Sequence, residues 1–332
     1  MHVSWHCNPS PASRCSNIGP VSRSQSINRT AWLGGCFAVV AGLLPRAVIG
    51  DAPSSAQIIQ AAPTSAWRSL APENTLYMQL PAGRVIIELA PAFAPLHVAN
   101  IRTLVQENYF DGLAVLRAQD NYVVQWGDPD ENKSLGSAKA TLEAEFTVRD
   151  TPEMQFVPLP DRDGYAPQSG FAAGLPAARN PEKHRAWLAN CYGMVGVGRD
   201  NDPQSGNGSS LFVVIGQAPR QLDRNITLVG RVWSGIELLS TLHRGSGPLG
   251  FYETPQERTG LLSIRMAADV PEAERTPLQV MRTDSPSFAQ YVAARRNRRE
   301  DWFKVPAGFI DVCNVPIPTR APPAPSASDQ AR

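Results

Sequence analysis

The sequence predicts a mainly β protein organised as a closed antiparallel barrel with helices capping its ends. Three observations predict it. Short apolar or alternating runs bounded by Gly, Pro, Asn and Asp clearly outnumber the stretches with helical periodicity. The 30 prolines and 25 glycines punctuate the chain with turns. At 42% hydrophobic and 18% charged residues, the 332-residue chain has the composition of a globular protein with a substantial core.

The elements follow in order. Residues 1–50 contain no Asp or Glu but carry Arg14, Arg23, Arg29 and Arg46. The basic flank at Arg29 and the apolar run at 31–44 precede the small residues Val48 and Gly50. This reads as a secretory signal cleaved near Gly50, with an uncleaved membrane anchor as the alternative; the apolar run is short for a span across about 30 Å of hydrocarbon. The expected location is the periplasm, with no stable membrane insertion once the signal is removed. Residues 51–73, rich in Ala, Pro and Ser, read as a linker. Strands are expected at 74–80 and 84–89 around Pro81-Ala82-Gly83, a hairpin pattern. A helix over 91–107 follows, with Val98, Ile101, Leu104 and Val105 on one face. Two further strands, 113–118 and 122–126, meet around Gln119-Asp120-Asn121, and Gly127-Asp128-Pro129 ends the second.

Residues 130–189 lack clear periodicity and read as a long loop excursion instead of a second core, with one strand at 140–146. Strands resume at 192–198, 211–215 and 227–232, then a short helix at 236–242 and a final strand at 261–266. The main domain is therefore drawn over 74–269, followed by a C-terminal extension, 270–320, with a basic helix over 285–301. Residues 321–332, rich in Pro, Ala and Ser, read as a disordered tail.

Several function classes drop out. The net charge is +1, and four of the 31 basic residues lie in the leader, so the remainder carries a small acidic excess. That is no footprint for a nucleic-acid partner, and Arg295, Arg296, Arg298 and Arg299 read as a solvated helix face. His97, His184 and His243 are scattered without paired spacing, so no metal site is expected. Cys7, Cys15 and Cys36 fall in the leader, leaving Cys191 and Cys313. In an oxidising compartment these form either a disulfide or two buried thiols, and spacing alone leaves both open.

The most informative stretch is 109–129, YFDGLAVLRAQDNYVVQWGDP. It resembles the central hairpin of the cyclophilin family, in which a strand ending in arginine is followed by one ending in Gln and a Gly-Asp turn. Residues 193–216, GMVGVGRDNDPQSGNGSSLFVVIG, are similar to the family's strand–loop–strand with Gly-Ser before an aromatic strand. Residues 222–232, LDRNITLVGRV, resemble its Leu-Asp loop and the Gly-bearing strand after it. Order and approximate spacing agree across all three.

The resemblance implies a closed eight-stranded antiparallel barrel and peptidyl-prolyl cis-trans isomerase activity without cofactor, on proline-containing polypeptide clients, by a monomer. It implies Arg117 as the catalytic donor, with Gln125 across the hairpin holding the guanidinium or a substrate carbonyl. Tyr122, Val123, Gly198, Ser210, Phe212 and Leu222 are the implied substrate-binding residues. Strand alternation adds that Arg117 shares a face with Val115, and Gln125 with Val123, both polar residues facing outward. The chain departs from the family pattern at Leu116, commonly His; at Ser210, usually Gln; and at Gln221, often Trp. Ile226 stands where an aromatic or His is common, and Trp126 replaces a glycine. These departures bear on turnover and cyclosporin sensitivity more than on fold. The competing function is a module that grips proline segments with little turnover.

Overall fold

A computed structural model describes residues 52–323. The expected export signal, and the tail from residue 324 onward, lie outside the described residues. The chain forms sixteen strands among the described residues. They are β1 (Trp67–Ser69), β2 (Thr75–Leu80), β3 (Gly83–Leu89), β4 (Ala114–Ala118), β5 (Val123–Gly127), β6 (Val148–Arg149), β7 (Val157–Pro158) and β8 (Gln168–Ala172). The remainder are β9 (Leu175–Asn180), β10 (Arg185–Leu188), β11 (Met194–Val197), β12 (Leu211–Val214), β13 (Leu228–Ser234), β14 (Ser263–Met266), β15 (Gln279–Met281) and β16 (Thr319–Arg320). The α-helices are α1 (Ser55–Ala61), α2 (Pro95–Gln106), α3 (Ile236–Ser240) and α4 (Pro286–Arg296).

Eight strands build the main sheet in the order β14-β2-β3-β13-β11-β12-β5-β4, antiparallel throughout. Alternation aims Leu76, Met78, Val85, Ile87, Val124, Trp126, Val213 and Val229 at one interior. Helix α2 adds Val98, Ile101, Leu104 and Val105 to that interior, and α3 adds Leu239. No side chain of its own N-cap holds the start of α2. Glu145 does so from a distance, accepting from the amides of Leu96 and His97 at 3.0 Å each.

The barrel expected to be closed is a curled half-barrel. Its edge strands β4 and β14 are not joined by a ladder. An irregular strap before β14 runs along the open edge of β4 instead. Gly245 donates to the Ala118 carbonyl, Tyr252 to that of Leu116, and Leu261 to that of Leu113. Isolated bridges pair Arg117 with Phe251 and Ala114 with Gly260. The reason lies in composition: Gly245, Gly247, Pro248, Gly250, Pro255 and Gly260 cannot sustain a continuous strand.

Residues 130–189 also differ from the expected loop excursion with its single strand. They hold a five-stranded sheet, β6-β10-β9-β8-β7, while 140–146 is irregular and not the expected strand. The β8–β9 hairpin turns at Ala173 and Gly174, with φ of 50° and 79°. Small residues such as Ala177, Ala178 and Ala186 fill its buried positions, so hydrophobic alternation was too weak to announce the strands. Nor is 51–73 a plain connector. A capping box between Ser54 and Gln57 starts α1, and β1 pairs with β15, which in turn pairs with β16. Helix α1 contributes Ile58, and α4 Phe288, Tyr291 and Val292, to a second apolar cluster shared with Phe171, Leu175 and Leu188 of the added sheet. The Phe171 and Phe288 rings meet edge to face at 5.0 Å.

Two ties bind these additions to the half-barrel. Cys191 and Cys313 form a disulfide across 122 residues, which resolves the alternative the sequence left open. Arg220, buried after β12, bonds Asp163 through Nη1 at 2.9 Å and Nη2 at 3.2 Å, and Asp223 through Nε at 2.7 Å. Asp223 accepts further from the Asn190 amide at 2.9 Å, its side chain at 3.0 Å and the Trp187 indole at 3.3 Å. Every charge in the triad thus has a partner of opposite sign, which a buried ion needs.

Replacing Cys313 by Ser is expected to lower the unfolding free energy by about 2–5 kcal/mol, read from urea titration of the oxidised protein and its variant. A second prediction concerns acid. Burial alone would raise the Asp163 carboxyl, but bonds from Arg220 and from the Tyr165 amide outweigh it and hold the group below its ordinary value. A carboxyl depressed by folding stabilises above its unfolded-state value, and that contribution is lost as pH falls through the folded-state value. Asp163→Asn is expected to lose stability at neutral pH and to show a flatter decline below about pH 4 than the unmodified chain. Parallel acid limbs in pH-resolved thermal melts would refute it.

Candidate active site

The site grows from one irregularity in β4. Simple alternation puts Arg117 on the same face as Val115, and this expectation fails. Val115 pairs with Trp126 and is fully buried in the interior, whereas Arg117 pairs with Gln125. The register slips by one residue between them, so Leu116 is the extra residue of a β-bulge. The bulge turns Arg117 to the outer face, where Gln125 and Val123 also lie as expected.

From Arg117 a single row crosses the sheet. Gln125 is the partner of both Arg117 and Phe212, and Phe212 in turn faces Gly196, which faces Leu228. Directly opposed residues share a face, and neighbouring strands lie about 4.8 Å apart. The guanidinium-bearing strand is therefore two strand spacings from the phenylalanine. Gly196 makes the row feasible: a Cβ there would stand 2.3 Å from the tip of the Phe212 ring. Gly198 serves the next position. Its amide donates to the Ser210 carbonyl at 2.9 Å, and a Cβ would crowd Ser210 Oγ at 2.9 Å and Gln125 Nε2 at 3.2 Å.

Gln125 does not hold the guanidinium here. Its Nε2 donates to Ser210 Oγ at 3.0 Å, so these two expected residues form one polar pair beside the row. Arg117 is anchored by groups that sequence reading did not single out. Its Nε donates to the Leu249 carbonyl at 2.6 Å, and its Nη2 donates to Gln119 Oε1. The rings of Tyr122 and Phe251 lie 5.5 Å and 5.3 Å from Cζ. Burial lowers the basicity of this half-buried guanidinium, partly offset by Tyr122. Gln119 was within reach of sequence reasoning, being two residues beyond Arg117. Leu249 and Phe251, more than 130 residues away, carried no such signal.

Val123 and Phe212 retain only 3% and 5% of their exposure and belong to one apolar cluster with Val214 and Leu228. Tyr122 and Ile226, themselves only partly buried, pack against that cluster. Leu222 lies half-buried on the turn that carries Arg220 and is not among the residues packed there. Among the described residues, no group of three or more His, Cys, Asp or Glu side chains converges as metal ligands do. What the face offers is one oriented cation beside an apolar floor, with an amide–hydroxyl pair between.

Comparison with known proteins supplies the family. Residues 75–265, more than half of the chain, match the model described as cyclophilin type peptidyl-prolyl cis-trans isomerase/CLD. A probable peptidyl-prolyl cis-trans isomerase of Brucella suis is 29% identical over 178 residues, covering 53% of this chain and 74% of the relative. A putative thylakoid lumen peptidyl-prolyl cis-trans isomerase of Synechocystis is 26% identical over 179 residues, 52% of this chain and 44% of that one. The crystal structure of the cyclophilin AquaCyp293 from Hirschia baltica superposes with a TM-score of 0.61 at 29% identity, over 76% of this chain and 92% of its own. That overlap reaches beyond the residues of the family model and so takes in part of the additions around the half-barrel. With the eight-stranded curled sheet and the matched span in agreement, the chain belongs to the cyclophilin-type peptidyl-prolyl cis-trans isomerases.

Proposed function

We propose that this isomerase accelerates X–Pro rotation in exported polypeptides by donation from Arg117 toward the prolyl nitrogen. The barrier is about 18–20 kcal/mol because the nitrogen lone pair is delocalised into the carbonyl. Twisting the bond localises that pair on nitrogen. A fixed donor there is better bonded in the twisted state than in either planar state, which is the condition for catalysis. Arginine suits the task because it keeps its charge and presents a rigid fork of donors. Bond rotation breaks no covalent bond, so the mechanism asks for no nucleophile or cofactor.

The row Arg117–Gln125–Phe212 is the observation that carries this reading. The proline ring is assigned beside the partly exposed Tyr122 ring, over the small fraction of Val123 and Phe212 that stays exposed, where low polarity strengthens the field of the guanidinium. Gln125 and Ser210 are assigned to the peptide backbone of the client, Gln125 through its carbonyl oxygen and the amide hydrogen not donated to Ser210. Gly198 keeps space for that pair. Leu222 is assigned only to the outer rim, consistent with its separation from the apolar cluster.

Action on exported clients in the periplasm rests on separate support. The leader combines arginines with a short apolar run and no acidic residue. The Cys191–Cys313 disulfide suits an oxidising compartment. No helix among the described residues is long and apolar enough to cross a membrane. The Synechocystis relative, named for a lumenal compartment, is a weak pointer in the same direction.

Arg117→Ala is expected to lower kcat/KM on a proline tetrapeptide by about 10²–10³-fold, the usual loss when one preorganised donor is removed. Circular dichroism should remain native, since Arg117 lies on the outer face. Unchanged turnover in that variant would exclude the assignment. Binding of the peptide by the unmodified protein without measurable isomerisation would favour the gripping module instead.

A further inference from the structure

The guanidinium of Arg117 has five N–H donors, and the protein uses them unequally. Nε is committed to the Leu249 carbonyl at 2.6 Å, and Nη2 to Gln119 Oε1. Nη1 has no protein partner among these contacts, and the rings of Tyr122 and Phe251 lie 5.5 Å and 5.3 Å from Cζ. Because the group is planar, fixing two of its nitrogens fixes the direction of the third.

The anchor is itself tightly built. Gly250 has φ of 77°, and a Cβ on it would stand 2.6 Å from Gln119 Cα and 2.8 Å from Gln119 Cβ. The strap therefore rests directly on the backbone of Gln119, and only glycine permits that approach. The amide N–H groups of Gly245 and Tyr252, on either side of Gly250, donate to the Ala118 and Leu116 carbonyls and hold the strap against β4.

We propose that Gln119 is the positioning residue for Arg117, acting with the strap carbonyl of Leu249 so that Nη1 is the donor presented to the prolyl nitrogen. Gln125, expected from the sequence to hold either the guanidinium or a substrate carbonyl, bonds Ser210 instead of Arg117 and keeps its carbonyl oxygen for the client. This inference rests on the catalytic assignment of Arg117 made above. Gln119 does not touch the substrate; it orients the group that does.

The test compares Gln119→Leu, Gln119→Glu, Gly250→Ala and Arg117→Ala in steady-state isomerisation of a proline tetrapeptide. Exchange of the Arg117 Nε–H resonance with water is followed by NMR in each variant that retains the arginine. Gln119→Leu is expected to lower kcat about fivefold, the worth of one hydrogen bond, with KM within twofold and an unchanged melting temperature. Gln119→Glu keeps an acceptor for Nη2 and should restore kcat to within about twofold of the unmodified enzyme. Gly250→Ala, which lifts the strap, should lower kcat and speed Nε–H exchange. Full kcat in Gln119→Leu alongside a crippled Arg117→Ala overturns the positioning role and leaves the Arg117 assignment standing. Full kcat in Arg117→Ala overturns the catalytic assignment, and the positioning role falls with it. Equal loss in the Leu and Glu variants, with lowered melting temperatures, assigns Gln119 to stability and overturns the role as well.

Discussion

A one-residue slip in the β4–β5 ladder governs the chemistry of the whole outer face. Strand side chains alternate, so without the bulge at Leu116 either Val115 would leave the interior or Arg117 would enter it. Burying an unpaired guanidinium costs several kcal/mol, and exposing a valine forfeits about 1.5–3 kcal/mol of burial. The bulge satisfies both demands, at the cost of local ladder regularity. It lies on the edge strand of the sheet, where such a disruption leaves the fewest partners unsatisfied.

The strap therefore has two consequences that are physically one. Its backbone supplies partners for the exposed edge of β4, which would otherwise present free N–H and C=O groups to other chains. In meeting that edge it brings the Leu249 carbonyl and the Phe251 ring to Arg117. Edge protection and guanidinium orientation cannot be varied independently, since Gly250 packs on Gln119 at the point where both occur.

A similar economy holds on the far side of the row. Val123 and Phe212 belong to the same apolar cluster as the buried residues of α4 and the added sheet. The floor assigned to the proline ring is continuous with the core that joins the excursion to the C-terminal extension. The disulfide and the Arg220 triad bind that core to the half-barrel, so the additions pack on the same outer face of the sheet as the floor. They are not loose appendages, despite a composition that suggested a linker and a loop.

The sequence by itself determined the β-rich class, the places of the eight main strands along the chain, helices α2, α3 and α4, and the polar identity of Arg117 and Gln125. These are local properties: alternation, turn chemistry and helical spacing act over a few residues and survive in the one-dimensional pattern. It also marked the three motifs whose resemblance named the family. Tertiary structure alone decided that the barrel stays open and that Leu116 is the bulged residue. It decided too that Cys191 meets Cys313, that an Ala-rich excursion folds into a sheet, and that Arg117 is held by Gln119 and Leu249 instead of Gln125. Each depends on contacts between distant segments, or on a register slip that leaves composition untouched. Local pattern constrains which face a residue prefers, but only packing of the remote strap against β4 decides where the guanidinium points.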